Sequence, residues 1–149
     1  MKKLIIIVIA LFILNNCGYT PIYSTKDNNF YIKEVSQKST SKLNSKIVNN
    51  LKIFSNESSK NIIKIEIEAV KKIETTQKDN KGDPSRFQMT ITLNMNIISE
   101  NYNKTKSFSS NFNYSNNTNK FSLKQYEKEI ENILIGKIVE KSVIYLSDL

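Results

Sequence analysis

Three consecutive runs between residues 62 and 115 alternate apolar and polar side chains with a period of two, a pattern that only extended strands turn into a single apolar face. In residues 62–77 the odd positions Ile63, Ile65, Ile67, Ala69 and Ile73 are apolar, with Lys71 the exception, and Lys64, Glu66, Glu68, Lys72 and Glu74 stand between them. In residues 87–99, Phe87, Met89, Ile91, Leu93, Met95 and Ile97 alternate with Gln88, Thr90, Thr92, Asn94 and Asn96. In residues 106–115, Phe108, Phe112 and Tyr114 alternate with Ser107, Ser109, Asn111 and Asn113. Each strand therefore offers one face to a core and one to water, as in an antiparallel sheet covered on one side. At ~3.4 Å per residue the first two runs reach roughly 45–55 Å, long against a usual ~5–6 residues. Their ends are expected to project beyond the helices that cover them.

The flanking segments complete the pattern. Residues 78–85 contain Asp79-Asn80-Lys81-Gly82-Asp83-Pro84, a turn-rich hairpin loop, and residues 100–104 form a shorter turn. Residues 30–36, with Tyr31, Ile32 and Val35, read as a short first strand. Residues 39–54 switch to helical spacing, with Leu43, Ile47, Val48, Leu51 and Phe54 on one stripe and Lys42, Ser45, Lys46, Asn49 and Lys52 opposite. Ser39, Thr40 or Ser41 supplies the cap. The last segment is a helix of about 24 residues, roughly 36 Å long. Ser122 with Gln125 forms a capping box there, and Phe121 staples onto Tyr126. Its buried stripe is expected to be Tyr126, Ile130, Ile133, Leu134, Ile138 and Leu146, with Val143 and Tyr145 at the margins. Gly136 inside that helix costs ~1 kcal/mol relative to alanine, which points to a close contact. The order β-α-β-β-β-α predicts an α+β fold: a two-layer sandwich, its four-stranded sheet mainly antiparallel, with two helices on one face.

The first 23 residues carry a different signal. Lys2 and Lys3 precede an apolar run over residues 4–14, followed by two asparagines and Cys17. A positive start, a short apolar run and a cleavage site describe a secretory signal peptide. About 11 apolar residues are too few for a membrane-spanning helix, which needs ~18 or more. In bacteria such a run ending at a cysteine means lipoprotein processing: the thiol is acylated and Cys17 becomes the first residue. Leu14 fits that pattern; Asn16 departs from the usual Gly, Ala or Ser. The division expected is a lipoprotein signal over residues 1–16, a lipidated tether over 17–29 and one sandwich domain over 30–149. A soluble secreted protein with a free thiol, or an uncleaved anchor, are the alternatives.

Composition narrows the function. A single cysteine leaves no internal disulfide, so the exported domain must hold by packing alone. The formal charge of +8 would ordinarily suggest nucleic acid, but export removes that partner and leaves an anionic membrane or glycolipid. The lysine, asparagine and isoleucine content also fits an AT-rich genome's codon bias, which weakens the charge as a signal. With no histidine, the commonest general base and metal ligand is missing. The only glycines, Gly18, Gly82 and Gly136, form no phosphate-cradling loop. Asp79 and Asp83 fail the calcium-loop spacing and read as turn residues. The expectation is a non-enzyme with no metal site and no cofactor beyond a covalent lipid on Cys17.

The stretch Cys17-Gly18-Tyr19-Thr20-Pro21-Ile22-Tyr23 resembles the start of mature lipopolysaccharide-assembly lipoproteins, the LptE family, especially the α-proteobacterial kind, which commonly begin Cys-Gly-(Phe/Tyr)-x-Pro-Leu-Tyr. The length, the element order and the long last helix agree with that resemblance. It implies an outer-membrane lipoprotein on the periplasmic side, seated as plug and assembly factor in the β-barrel lipopolysaccharide translocon, LptD. Gly18 after the cysteine suits outer-membrane sorting. Under that reading Lys78, Lys81, Lys104 and Arg86, near loops, are candidates to meet lipopolysaccharide phosphates as point charges. Two other readings stand beside it: a lipid- or lipoprotein-carrier module with an apolar cavity, and an envelope lipoprotein with no fixed partner.

Overall fold

The computed structural model describes residues 28–39 and 41–149. The expected signal peptide, Cys17 and the tether up to residue 27 lie outside the described residues, as does Thr40 among the candidate caps. The described residues form four strands and two helices in the expected order: β1 (Tyr31–Gln37), α1 (Lys42–Ile53), β2 (Ile62–Lys78), β3 (Pro84–Ile98), β4 (Asn103–Ser115) and α2 (Lys120–Ser147). The strands make one sheet in the order β1-β2-β3-β4. β1 runs parallel to β2, because α1 carries the chain back between them, and the other two pairings are antiparallel.

Register turns the alternation into a core. Met89 pairs with Ile73 on one side and Phe112 on the other, and Leu93 lies between Ala69 and Phe108, so the apolar positions of three strands share one face. Ile63, Ile65, Ile67, Met89, Ile91, Leu93, Met95 and Ile97 on that face are buried. Both helices lie over it, α1 against β1 and β2, α2 against β3 and β4, and they touch each other. Burying aliphatic side chains of this size contributes about 1.5–3 kcal/mol each, and in a domain without a disulfide this is the main stabilising contribution.

The covering layer is shorter than the sheet. β1 pairs only with residues 62–67, and α1 has 12 residues, about 18 Å of helix. The second half of β2 is therefore solvent-exposed from Val70 onward, and Ile73, placed in the core stripe by its spacing, is 42% exposed. The projection expected from strand length is present.

Two polar contacts close the seam where α1 and β1 give out. Asn44, on the helix stripe, is fully buried. Its Oδ1 accepts the Ala69 N–H at 2.8 Å, and its Nδ2 donates to the Ser39 carbonyl at 2.6 Å. The side chain thus takes the place of the next residue of β1, directly beyond Ile67, whose carbonyl accepts from Lys38 N at 3.1 Å. Ser41 is the cap of α1, its Oγ accepting from Asn44 N. The second contact explains Lys71, the exception in the β2 alternation. Glu131 of α2 pairs with Lys71 of β2 at 2.7 Å and with Lys46 of α1 at 2.6 Å, joining three elements through one carboxylate.

The last helix departs from expectation at its start and in its facing. It begins at Lys120, and Asn119 is the cap, its Oδ1 accepting from Phe121 N and Ser122 N. The Ser122 capping box and the Phe121 staple do not form; Phe121 lies in the first turn and is 78% exposed. Leu123, Ile135, Val139 and Val143 are buried, whereas Ile133 faces outward and Tyr126 is half-exposed, its ring edge-on to Tyr114 with centroids 6.3 Å apart. The reason is that α2 carries apolar residues around most of its circumference, so spacing alone leaves the buried face undecided. Gly136 meets nothing: a Cβ placed there has no neighbour within 4 Å.

Replacing Asn44 with leucine strands the buried Ala69 N–H and should cost about 1–3 kcal/mol, read as a lower urea midpoint; an unchanged midpoint would remove the edge-closing role. Burial works to raise the Glu131 pKa, but hydrogen bonds from Lys46 and Lys71 outweigh it and hold the carboxyl below its usual value. Because the folded pKa is depressed, this stabilisation is complete above the unfolded carboxylate range and is lost as pH falls through the folded value. Glu131→Gln should therefore flatten the acid side of the stability–pH profile and leave its curvature at alkaline pH unchanged; an unaltered acid limb would refute the coupling.

Candidate functional site

The outer face of the sheet, opposite the helices, divides sharply by chemistry. On β2 it is charged: Lys64, Glu66, Glu68, Lys72 and Glu74 alternate along the strand. Lys64 pairs with Glu34 of β1 at 2.8 Å, and the hydrogen bond and charge of that lysine hold the Glu34 carboxyl below its usual pKa. Lys72 pairs with Glu74 at 2.8 Å. From Gln88 to Asn96 on β3, and on the β4 residues paired with them, the same face is uncharged, and Arg86, paired with Ser115, bounds this stretch at the hairpin end. Register sets Gln88 against Asn113, Thr90 against Asn111, Thr92 against Ser109, Asn94 against Ser107 and Asn96 against Thr105.

These short polar side chains bond across the strands. Gln88 Nε2 donates to Asn113 Oδ1 at 3.0 Å, Thr105 Oγ1 to Asn96 Oδ1 at 3.3 Å, and the Thr92 and Ser109 hydroxyls lie 3.2 Å apart. The chain is 24% charged overall, and solvated strand faces normally carry their share. Five successive cross-strand pairs without a charge make a continuous surface of donors and acceptors with few long side chains to immobilise. It suits a polar, uncharged partner that comes close.

The four basic candidates do not converge. Lys78, Lys81 and Arg86 sit at the β2–β3 hairpin, where Asp79 Oδ1 accepts from both Lys81 N and Asp83 N and Gly82 adopts a φ of +87°. Asp79 and Asp83 are thus turn residues, as their spacing indicated. Lys104 pairs at the level of Ile97, and Arg86 lies 11 residues back along β3, about 37 Å away at ~3.4 Å per residue. The Lys104 ammonium lies 5.3 Å from the centre of the Tyr102 ring. One small ligand could not touch both ends.

The Lys104 end also holds an open groove of ≈ 780 Å³, lined among others by Lys33, Lys60, Lys64, Ile62, Ile98 and Tyr102. Sequence reading missed these lysines as a group because they come from separate elements, and only the sheet brings them together. On the helix side, Tyr114 donates to Glu127 Oε1 at 2.7 Å; burial first, then that hydrogen bond, push its pKa well up, so the phenol stays protonated and acts as a strut. Among the described residues no three His, Cys, Asp or Glu side chains cluster as metal ligands.

Neither a protein-family model nor a curated sequence matches the chain. Solved structures do share its fold. The chain is similar to rare lipoprotein B from Shewanella oneidensis, with a TM-score of 0.52 and 10% identity over 75% of this chain and 94% of that one. Lipoprotein B from Nitrosomonas europaea gives a TM-score of 0.58 and 11% identity over 79% and 84% of the two chains. A minor lipoprotein from Acinetobacter baumannii gives 0.57 and 11% over 81% and 94%. At such identities the likeness is one of fold: this β-α-β-β-β-α sandwich is the architecture of those lipoproteins.

Asp79→Ala should release the two amides its carboxylate holds, raising hydrogen exchange at Lys81 and Asp83 while changing global stability by no more than about 0.5 kcal/mol. Unchanged exchange at both amides would show that the backbone bonds alone hold the turn.

Proposed function

We propose that this chain is an outer-membrane lipoprotein, anchored through an acylated Cys17 on the periplasmic side, that serves as plug and assembly factor in a β-barrel lipopolysaccharide translocon of the LptD kind. The uncharged face of β3 and β4 carries this reading. The inside of an outer-membrane barrel is polar, and a domain lodged there needs a surface that hydrogen-bonds widely without burying unpaired charge. The Cys17–Tyr23 stretch and the fold shared with known lipoproteins support the same assignment. The role is read as non-catalytic and cofactor-free.

The apolar side chains of sheet and helices form one packed core, which favours a plug over a carrier that would keep a cavity open for lipid. The split placement of Lys78, Lys81 and Arg86 at the hairpin against Lys104, with Lys33, Lys60 and Lys64, at the other end gives lipopolysaccharide phosphates two separate basic ends to meet.

The test is an affinity pull-down of the C-terminally tagged full chain from detergent-solubilised outer membrane. One large β-barrel should follow in near-equal amount. Thr92→Lys with Ser109→Lys, which sets two charges on the neutral face, should lower that recovery about tenfold with the circular dichroism spectrum unchanged. Recovery of the chain alone, or of the barrel undiminished by the two lysines, would count against the plug and against this face respectively.

A further inference from the structure

The two edges of the sheet are built differently. One edge is β1 followed by the second half of β2, and it carries the devices that keep a strand edge from pairing with another chain. β1 has only 7 residues and includes Lys33 and Glu34. Asn44 fills the first position beyond it, Lys71, Lys72 and Glu74 follow, and the register shifts between Thr75 and Lys78. The other edge is β4, 13 residues long and paired with β3 without a shift from Asn103 to Ser115. From Ser107 to Ser115 it contains no charge, proline or glycine.

Which backbone groups of β4 are free follows from its ladder. Ser99 N donates to the Tyr102 carbonyl at one end of the β3–β4 pairing, and Asn116 N to the Ser85 carbonyl at the other. Even-numbered residues on the β4 side therefore bond to β3, and without a shift the alternation holds between these ends. Ser107, Ser109, Asn111, Asn113 and Ser115 point N–H and C=O away from the sheet. Lys141 Nζ donates to the Ser109 carbonyl at 3.0 Å, and among the described residues nothing else bonds to these outward groups. The same edge borders the neutral outer face, so a strand added to it would continue that face.

We infer that the free edge of β4 pairs with a strand of the partner barrel before the barrel closes, making the domain a template in its assembly. The inference rests on the plug reading and gives the assembly role a mechanism. A strand that crosses a bilayer has about 9–11 residues, the length of the uncharged run from Ser107 to Ser115. A closed barrel has no free edge, so only an unfinished one supplies the strand. Its lumen-facing side chains are polar and extend the neutral surface, and no charge on the run from Ser107 to Ser115 has to be desolvated as it docks. At Ser109 an incoming N–H replaces the Lys141 ammonium.

Amide exchange reads this edge directly. In the free, full lipidated chain the amides of Ser109, Asn111 and Asn113 should exchange fast, and those of Ser110 and Phe112 slowly. On the barrel recovered in the pull-down, shortened by its last strand so that it cannot close, the three odd-numbered amides should slow about tenfold or more. Exchange as fast as in the free chain would overturn the inference. So would protection in the free chain that rises with its concentration, which would put a second copy on the edge. Asn111→Pro with Asn113→Pro removes two outward donors and none that bonds β3. With the circular dichroism spectrum unchanged, the rate at which the barrel reaches its closed form should fall about tenfold. Asn111→Ser with Asn113→Ser keeps both donors and should leave the rate unaltered; slowing by the serines as well would assign the effect to the side chains and refute the pairing. A folded proline variant that matures the barrel at the normal rate sinks the inference and leaves the plug reading standing. If the prolines unfold the domain, the exchange result decides alone. If the unaltered chain recovers no barrel, the plug reading fails and takes the inference with it.

Discussion

The pairing of β2 with β3 is the constraint to which every other element adjusts. It runs from Lys64 and Ile98 at one end to Lys78 and Pro84 at the other, and its alternation commits every second side chain to one face. A slip of one residue would turn that whole set to water. β4 extends the same register, and the helices settle where the apolar face is widest. What they leave bare, the outer half of β2 and the hairpin, is bare because two strands outrun a seven-residue strand and a twelve-residue helix.

Such a mismatch leaves a seam, and the seam is held by polar groups placed among apolar ones. Asn44 satisfies a backbone amide that no strand reaches, and Glu131 gathers lysines from α1 and β2 onto α2. Neither contact supplies the bulk of the stability. Each fixes an alignment that apolar packing, which is non-directional, leaves loose. The cost of undoing them is high because a buried amide or carboxylate left without its partner keeps its desolvation penalty.

Surface chemistry is partitioned by strand in the same way. On the sheet, charge lies along β2, short neutral polar groups lie along β3 and β4 from Gln88 to Asn96, and lysines stand at the two ends, whereas the outside of α2 mixes Ile133 and Ile144 with Lys124, Lys137 and Lys141. A domain that only needed to stay dissolved would mix these. Their separation is the mark of a body with different neighbours on different sides, and the proposed seat inside a barrel supplies such neighbours.

The sheet was legible from residues 62–115 because side chains alternate in a strand by covalent geometry, whatever surrounds it. The hairpin at Asp79–Asp83 and the stripe of α1 were legible for the same local reason. Lys71 was visible as an exception but not as a partner, since Glu131 lies 60 residues away. Asn44 gave no signal, because an asparagine on a helix stripe looks the same whether it faces water or an unpaired strand edge. The facing of α2 was undecided in the sequence: apolar residues nearly all round a helix allow several buried stripes, and only docking onto β3 and β4 selects one. Of the candidate site, the neutral residues could be read as outward-facing, and the basic ones as near turns. That the neutral residues form one continuous face, that the basic ones stand at opposite ends, and that Gly136 opens to solvent, only the tertiary structure decided. The reason is physical: periodicity is a property of the backbone near each residue, whereas proximity between elements depends on where the whole chain has packed.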